Sequence, residues 1–157
     1  MLVVCDTSPP NYLVLMDLVS LLPLLFERVL MPEAVHRELQ AERTPESVRR
    51  WAAALPAWVE VRSVEVPQDY LPHIHMGERA AIALAQQVKA PLLIDDKTAR
   101  DTAQALGIPV VGTLILLDRF VARGWISRHE ARARILRTNF RVAPWLLDEF
   151  FPPPPEE

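Results

Sequence analysis

The chain has one cysteine, Cys5, among its 157 residues. No intrachain disulfide can therefore form, and an oxidising compartment is not implied. An excess of positive charge is also missing, since 17 Lys and Arg stand against 20 Asp and Glu for a formal net charge of −3. A protein that grips nucleic acid through a broad cationic face is normally basic, so any such contact here must come from local arginine clusters. No apolar run is long enough to span a bilayer. The longest, residues 13–26, is interrupted by Asp17, Ser20 and Pro23 and reads as a core helix. The opening MLVVCDTSPP has no basic segment ahead of its short apolar stretch, unlike a secretory leader, so the cytoplasm is the expected location. There is no internal repeat, no inter-domain linker and no G-x-G-x-x-G after a strand, which argues against a dinucleotide site.

What is present has the balance of an ordinary globular domain, with 50% hydrophobic and 24% charged residues. Short strand-like runs alternate with helical patterns. Strands are expected at residues 2–5, 28–31, 90–94 and 108–111, all apolar, and at 59–66, where period-two alternation marks a half-exposed edge strand. Pro9-Pro10 and Pro32 open helices, and Thr44-Pro45-Glu46 looks like a cap and first turn. Further helices are expected over 78–88, 98–106, 114–123, 128–137 and 144–150, with Gly107 and Gly124 as stops. This order predicts an α/β domain over 1–150, a mostly parallel sheet covered by helices, and an exposed proline-rich tail at 151–157.

In such sheets function collects at the carboxyl ends of the strands, and the acidic residues fall there. Asp6 directly follows the first apolar strand, and Asp95-Asp96 closes the most apolar one. Glu78 lies in the first turn of the helix leading to that strand. Glu38 shares a helical stripe with Ala34 and Val35, facing the sheet. Taken singly, Asp6 fits a helix cap, Glu78 a helix-dipole partner and Glu38 an exposed helix residue; the adjacent pair is sharper. Carboxylates gathered together repel one another unless a cation compensates. Hard oxygen donors suit Mg²⁺ or Mn²⁺, ions that activate water and stabilise charge on a phosphodiester.

The motifs VVCDTSP, VHREL, GERAAIALA, LLIDDKTAR and GIPVVGTLILL, in that order over residues 2–140, resemble a PIN domain of a prokaryotic subfamily related to the VapC-type toxins. The resemblance implies a three-layer α/β/α fold with a twisted, mostly parallel sheet and an acidic pocket holding Mg²⁺ or Mn²⁺. It implies Asp6, Glu38, Glu78 and Asp96 as the catalytic acids, Asp96 being preferred to Asp95 as the last of them. Asp6, Glu78, Asp95 and Asp96 are then the metal ligands. Thr7 and Ser8 match the polar residues after the first acid. Asn11 stands where the family has an apolar residue and becomes a further pocket candidate.

The implied activity is endoribonucleolytic cleavage of single-stranded RNA, in the toxin form with an antitoxin protein as partner and a homodimer as assembly. A catalytically silent PIN-like binding module is the second reading. A receiver-like phospho-acceptor is a third, disfavoured because its acidic pair would follow the first strand.

Lys97 and Arg100, after the acidic pair, and Arg128 and Arg132, on a late helix that also carries Arg134 and Arg137 and precedes Arg141, are the candidate RNA contacts. His73 and His75 read as solvated loop residues. Cys5 reads as a small core residue, and Trp51, Trp58, Trp125 and Trp145 as packing residues.

Overall fold

The computed structural model describes residues Met1–Glu156. Five strands, β1 (Leu2–Cys5), β2 (Arg28–Pro32), β3 (Val59–Arg62), β4 (Leu92–Leu93) and β5 (Val110–Val111), form one sheet. Their order is β3-β2-β1-β4-β5 and every pairing is parallel. The first strand is central, with β2 on one side and β4 on the other. The direction of winding therefore reverses between β1 and β4, and a crevice opens beyond the carboxyl ends of those two strands.

Helices cover both faces of the sheet because the inner strands are apolar on both. Val3 and Cys5 of β1 join one buried cluster, together with Leu13 of α1 (Ser8–Leu15), Val35 and Leu39 of α3 (Glu33–Leu39), Val48 of α4 (Glu46–Ala53) and Phe120 of α7 (Thr113–Ala122). The same cluster takes in Ile135 of α8 (Arg128–Leu136) and Leu147 of α9 (Pro144–Phe150). Val4, pointing the other way, packs with Ile82 and Ala85 of α5 (Met76–Val88) and Ala99 of α6 (Lys97–Ala105). The result is a three-layer α/β/α architecture, as expected.

Several expectations change, and the strands expected at 90–94 and 108–111 are only two residues long. The apolar stretch 13–26 is not one helix. Its first helix stops at Leu15, Asp17 takes a left-handed conformation (φ 57°), and Leu18 N–H bonds back to Leu13 O at 2.8 Å. That is a helix stop of the Schellman kind, made by an aspartate that tolerates the left-handed region. A single 3₁₀ turn (Val19–Leu21) and a short helix, α2 (Leu22–Leu25), follow, with Pro23 in the first turn where it costs least. Leu13 and Leu22 are core residues.

The edge strand ends at Arg62 rather than 66, because its only neighbour, β2, ends at Pro32, the residue paired with Arg62. Thr44 does not cap α4. The cap position is Pro45, and the Thr44 hydroxyl donates to Glu38 O at 2.8 Å.

At the carboxyl end, Phe151 is fully buried and its carbonyl accepts from Arg132 at 2.8 Å, so packing continues one residue past 150. Pro152–Glu156 are exposed.

Candidate functional site

Asp6 takes its place from the sheet. Its backbone N–H donates to Leu93 O at 2.9 Å, carrying the β1–β4 pairing one residue past the strand and turning the carboxylate into the crevice. The helix cap falls on Thr7, so Asp6 caps nothing. Its side chain is 5% exposed, and Oδ1 has no hydrogen-bond partner. Burial pushes the Asp6 carboxyl up to about 8; the Thr7 backbone N–H opposes this, and Glu78, Glu38 and Asp95 add to it. Behind it, burial and then the Asp6 charge raise the Cys5 thiol far above its usual range, which leaves an inert core residue.

Asp95, two residues past β4, is held by three donors from two helix starts. Ser8 Oγ donates to Oδ2 at 2.7 Å, while Thr113 donates through its N–H to Oδ1 and through Oγ1 to Oδ2, both at 2.7 Å. Thr113 opens α7, where free N–H groups favour an anion. Room for this carboxylate comes from Gly112, where an added Cβ would stand 3.1 Å from Asp95 Oδ1.

Asp96 does a second job. It caps α6, with Oδ2 accepting from Ala99 N–H at 3.0 Å, and it is exposed. The last two acids therefore divide the work. The deeper, better-anchored one is Asp95, whose charge reaches Asp6, whereas Asp96 faces Glu78. Burial raises the Glu78 carboxyl, the Asp96 charge, the Glu38 charge and a hydrogen bond shared with Asp96 raise it further, and His75 opposes.

Glu38 is the fourth wall. It accepts from Thr7 Oγ1 at 2.5 Å and lies 3.5 Å from His75 Nδ1. It also lies directly against Gly77, where an added Cβ would overlap the carboxylate and stand 2.8 Å from its Cδ.

These groups line one open cleft of about 730 Å³. It gathers Asp6, Thr7, Ser8, Asn11, Glu38, Glu78, Asp95, Asp96 and Lys97, all expected from the sequence. Lys97 is an exposed rim residue that pairs with Asp101 at 2.7 Å. Arg100 lies just outside, next to Gly112 and Asp95, lining an adjoining pocket.

Arg128 and Arg132 are elsewhere. Arg128 bonds Asp118 and Phe150 O, both at 3.0 Å, and Arg132 bonds Asp148 and Phe151 O, both at 2.8 Å, so the two fasten the carboxyl-terminal segment.

Sequence reasoning missed Tyr12, Asn139 and Phe140 and placed His75 in a solvated loop; all four line the cleft, with Arg141. Tyr12 stands four positions after Ser8, one helical turn on from the polar residues beside Asp6, and that spacing was the available signal. Nothing in the local sequence of 139–141 marks a loop that folds back from α8 over the first helix, where Phe140 packs edge-on to Tyr12 at 5.0 Å.

The donor set fits a hard divalent cation. Every acidic group supplies oxygen, a buried carboxylate oxygen on Asp6 lacks any donor, and the Asp96 charge stands close enough to raise the Glu78 carboxyl. Among the described residues no three Asp, Glu, His or Cys side chains are grouped closely enough to hold a metal ion between them. Mg²⁺ suits such an open arrangement, since it keeps several waters and needs only one or two carboxylates. Asp6 and Asp95, with Glu78 and Asp96 opposite, would hold it, and a bound ion would supply Lewis acidity and an activated water.

A structure search matches a PilT N-terminus domain protein from the hyperthermophilic archaeon Sulfolobus solfataricus P2 with a TM-score of 0.54 and 16% identity, over 72% of this chain and 87% of that one. That likeness speaks for the fold. A search of the curated proteins returns no match. A family model described as PIN domain matches residues 2–152, nearly the whole chain, and with the acids of its cleft in place the chain belongs to the PIN-domain family, part of a nuclease-like superfamily.

Proposed function

We propose that this protein is a divalent-metal-dependent endoribonuclease that hydrolyses single-stranded RNA, with Mg²⁺ or Mn²⁺ held at the Asp6–Asp95 side of the cleft. The observation that carries this reading is the buried Asp6 carboxylate at the winding reversal of the sheet, its Oδ1 without a hydrogen-bond partner and three further acids around it. A protein gains nothing in stability from such a group alone. It gains a function when a cation is bound.

In its more specific form the protein is the toxin of a toxin–antitoxin pair, acting as a homodimer restrained by an antitoxin protein; a short upstream reading frame for a DNA-binding protein would support that form.

The test is cleavage of a labelled single-stranded RNA with Mn²⁺, for the parent chain and for Asp6→Asn and Asp95→Asn. Cleavage by the parent alone, with both variants folded, is expected. Loss of either carboxylate should cost more than the roughly 10–100-fold typical of an outer-shell partner. Variants as active as the parent would remove this centre from the reaction. The second reading, a silent binding module, draws support from Asp95, whose oxygens already accept three hydrogen bonds. It expects no saturable Mn²⁺ binding by calorimetry and no metal-induced rise in melting temperature.

A further inference from the structure

The acidic cleft does not end at Asp95. Past Asp95, Phe140 and Arg141, all three of which line both spaces, lies a second pocket of about 270 Å³ with a different chemistry. Its body is apolar, built from Leu114 and Ile115 of α7 and from Leu146 and Phe150 of α9. Ile115 is 37% exposed. Two guanidinium groups, Arg100 and Arg141, stand at its edge.

These two arginines differ from the three paired ones on α8. Arg128, Arg132 and Arg134 each bond a carboxylate and a backbone carbonyl. Among the described residues, neither the Arg100 nor the Arg141 guanidinium has a carboxylate within 4.0 Å or a hydrogen-bond partner, although Asp95 and the acids of the cleft are close at hand. Arg100 lies over Gly112, its Nη1 3.8 Å from where a Cβ would stand. Free cations bordering an apolar hole, beside a site for a phosphodiester, match the alternation of a nucleic acid strand: a planar base flanked by phosphates.

Size and shape narrow the occupant. Drug-sized ligands take pockets of roughly 300–1,000 Å³, so about 270 Å³ suits one heterocycle rather than a whole nucleotide. Phe140, held edge-on by Tyr12 at 5.0 Å, gives the pocket a braced aromatic wall, and Phe150 gives it a second ring. A base enters such a hole only when it is unstacked, which single-stranded RNA permits and a duplex does not.

We infer that the pocket between α7 and α9 is a nucleobase subsite for the residue adjoining the phosphodiester in the acidic cleft, with Arg100 and Arg141 contacting the flanking phosphates. This rests on the proposed RNA substrate, but it concerns binding and not the chemical step.

The test separates the two. Binding of a fluorescein-labelled single-stranded hexanucleotide RNA is followed by anisotropy with Asp6→Asn protein in Mg²⁺, and cleavage is followed in parallel with the parent chain. An otherwise identical strand carrying one abasic residue, moved through each position in turn, should bind on the order of tenfold more weakly at one position, as loss of one base stack predicts. Filling the pocket with Ile115→Trp, at a partly exposed position, should abolish that position dependence while the melting temperature holds. Arg100→Ala and Arg141→Ala should each lower the salt slope of binding by about 1.

Equal binding of every abasic strand would overturn the subsite, as would unchanged binding by Ile115→Trp and both arginine variants. If those results came while the parent cleaved RNA, the nuclease reading would survive without the subsite. Position-dependent binding without cleavage by the parent would support the subsite and remove the nuclease. Failure of any RNA to bind would overturn the subsite.

Discussion

Two charged regions of this molecule can be set side by side: the acidic cleft at the end of β1 and β4, and the arginine-loaded helix α8. By sequence they look alike, each a local excess of one sign. In the structure three of the four arginines there are paired, and Arg137 is exposed at the helix end. Arg132, Arg128 and Arg134 meet Asp148, Asp118 and Glu130, and each also donates to a backbone carbonyl, of Phe151, Phe150 and Met16 respectively. The cleft is not neutralised: its acids accept from hydroxyls and backbone N–H groups, and among the described residues no Lys or Arg lies within 4.0 Å of Asp6, Glu38, Glu78, Asp95 or Asp96, the nearest basic side chain being His75 at 3.5 Å from Glu38. Charge that the fold satisfies holds structure together, and charge that the fold leaves unsatisfied marks where something else binds.

The sharpest way to break this comparison is to remove the unsatisfied charge. The folded-state value of Asp6 is about 8, well above the ordinary carboxylate. Between about pH 4 and 8 the folded protein therefore binds a proton that the unfolded chain has released, and metal-free stability falls as pH rises through that window. Asp6→Asn should remove this fall and raise the metal-free melting temperature at pH 8 by on the order of 10 °C, at the cost of activity. Saturating Mn²⁺ should reverse the pH trend of the parent, because cation and proton compete for the same oxygens. Thermal melts at pH 5 and pH 8 with EDTA or Mn²⁺ check this. A parent protein equally stable at both pH values without metal would mean that Asp6 is not strained.

A smaller effect is expected at Gly77. The second residue of α5 has no side chain because Glu38 occupies that space. Gly77→Ala would push Glu38 away from Thr7 and His75. Alanine favours a helix over glycine by roughly 0.5–1 kcal/mol, which offsets part of the lost contact, so the melting temperature should change little. Mn²⁺ affinity by titration calorimetry should fall by about 10–100-fold, as for loss of an outer-shell partner. Unchanged affinity would take Glu38 out of the metal's surroundings.

Much of this was legible in advance. The strand-then-acid pattern at Cys5-Asp6 and Ile94-Asp95-Asp96 placed both ends correctly, because a strand buried on both faces can shed its polar residue only at its end. Glu38 and Glu78 were legible from helical stripe and first turn.

What was not legible depends on contacts far apart in sequence. That Asp95 is the deeper and better-anchored acid of the pair turns on Thr113 and Ser8, 18 and 87 residues from it. Arg141 reaches the cleft only because the loop after α8 folds over α1. The break at Asp17 was written locally, but an aspartate inside a leucine-rich run looks like an exposed helical residue until its left-handed backbone is seen.

On the satisfied side, effects should appear in stability and not in binding. Arg132 is the strongest case, since its side chain is 17% exposed and fastens both Asp148 and the Phe151 carbonyl, next to a fully buried ring. Arg132→Ala should lower stability by about 1–2 kcal/mol and the melting temperature by about 3–6 °C, with RNA cleavage at the parent rate below that melt. A loss of cleavage without a loss of stability would place this arginine on the substrate path.

The smallest effect belongs to Arg128. Its side chain is 47% exposed and its ion pair with Asp118 spans 3.0 Å in reach of water, a setting where such pairs contribute about 0–1 kcal/mol. The same Nη1 also donates to Phe150 O, so the guanidinium already has an anion and a carbonyl to serve. An RNA phosphate would have to displace both to gain one contact. Arg128→Ala should therefore leave the salt dependence of RNA binding unchanged, whereas Arg141→Ala, with no such partner to give up, should lower the slope by about 1. Anisotropy titrations of the two variants at several salt concentrations place them side by side. Equal slopes for both would mean that pairing within the fold does not decide which arginines meet the substrate.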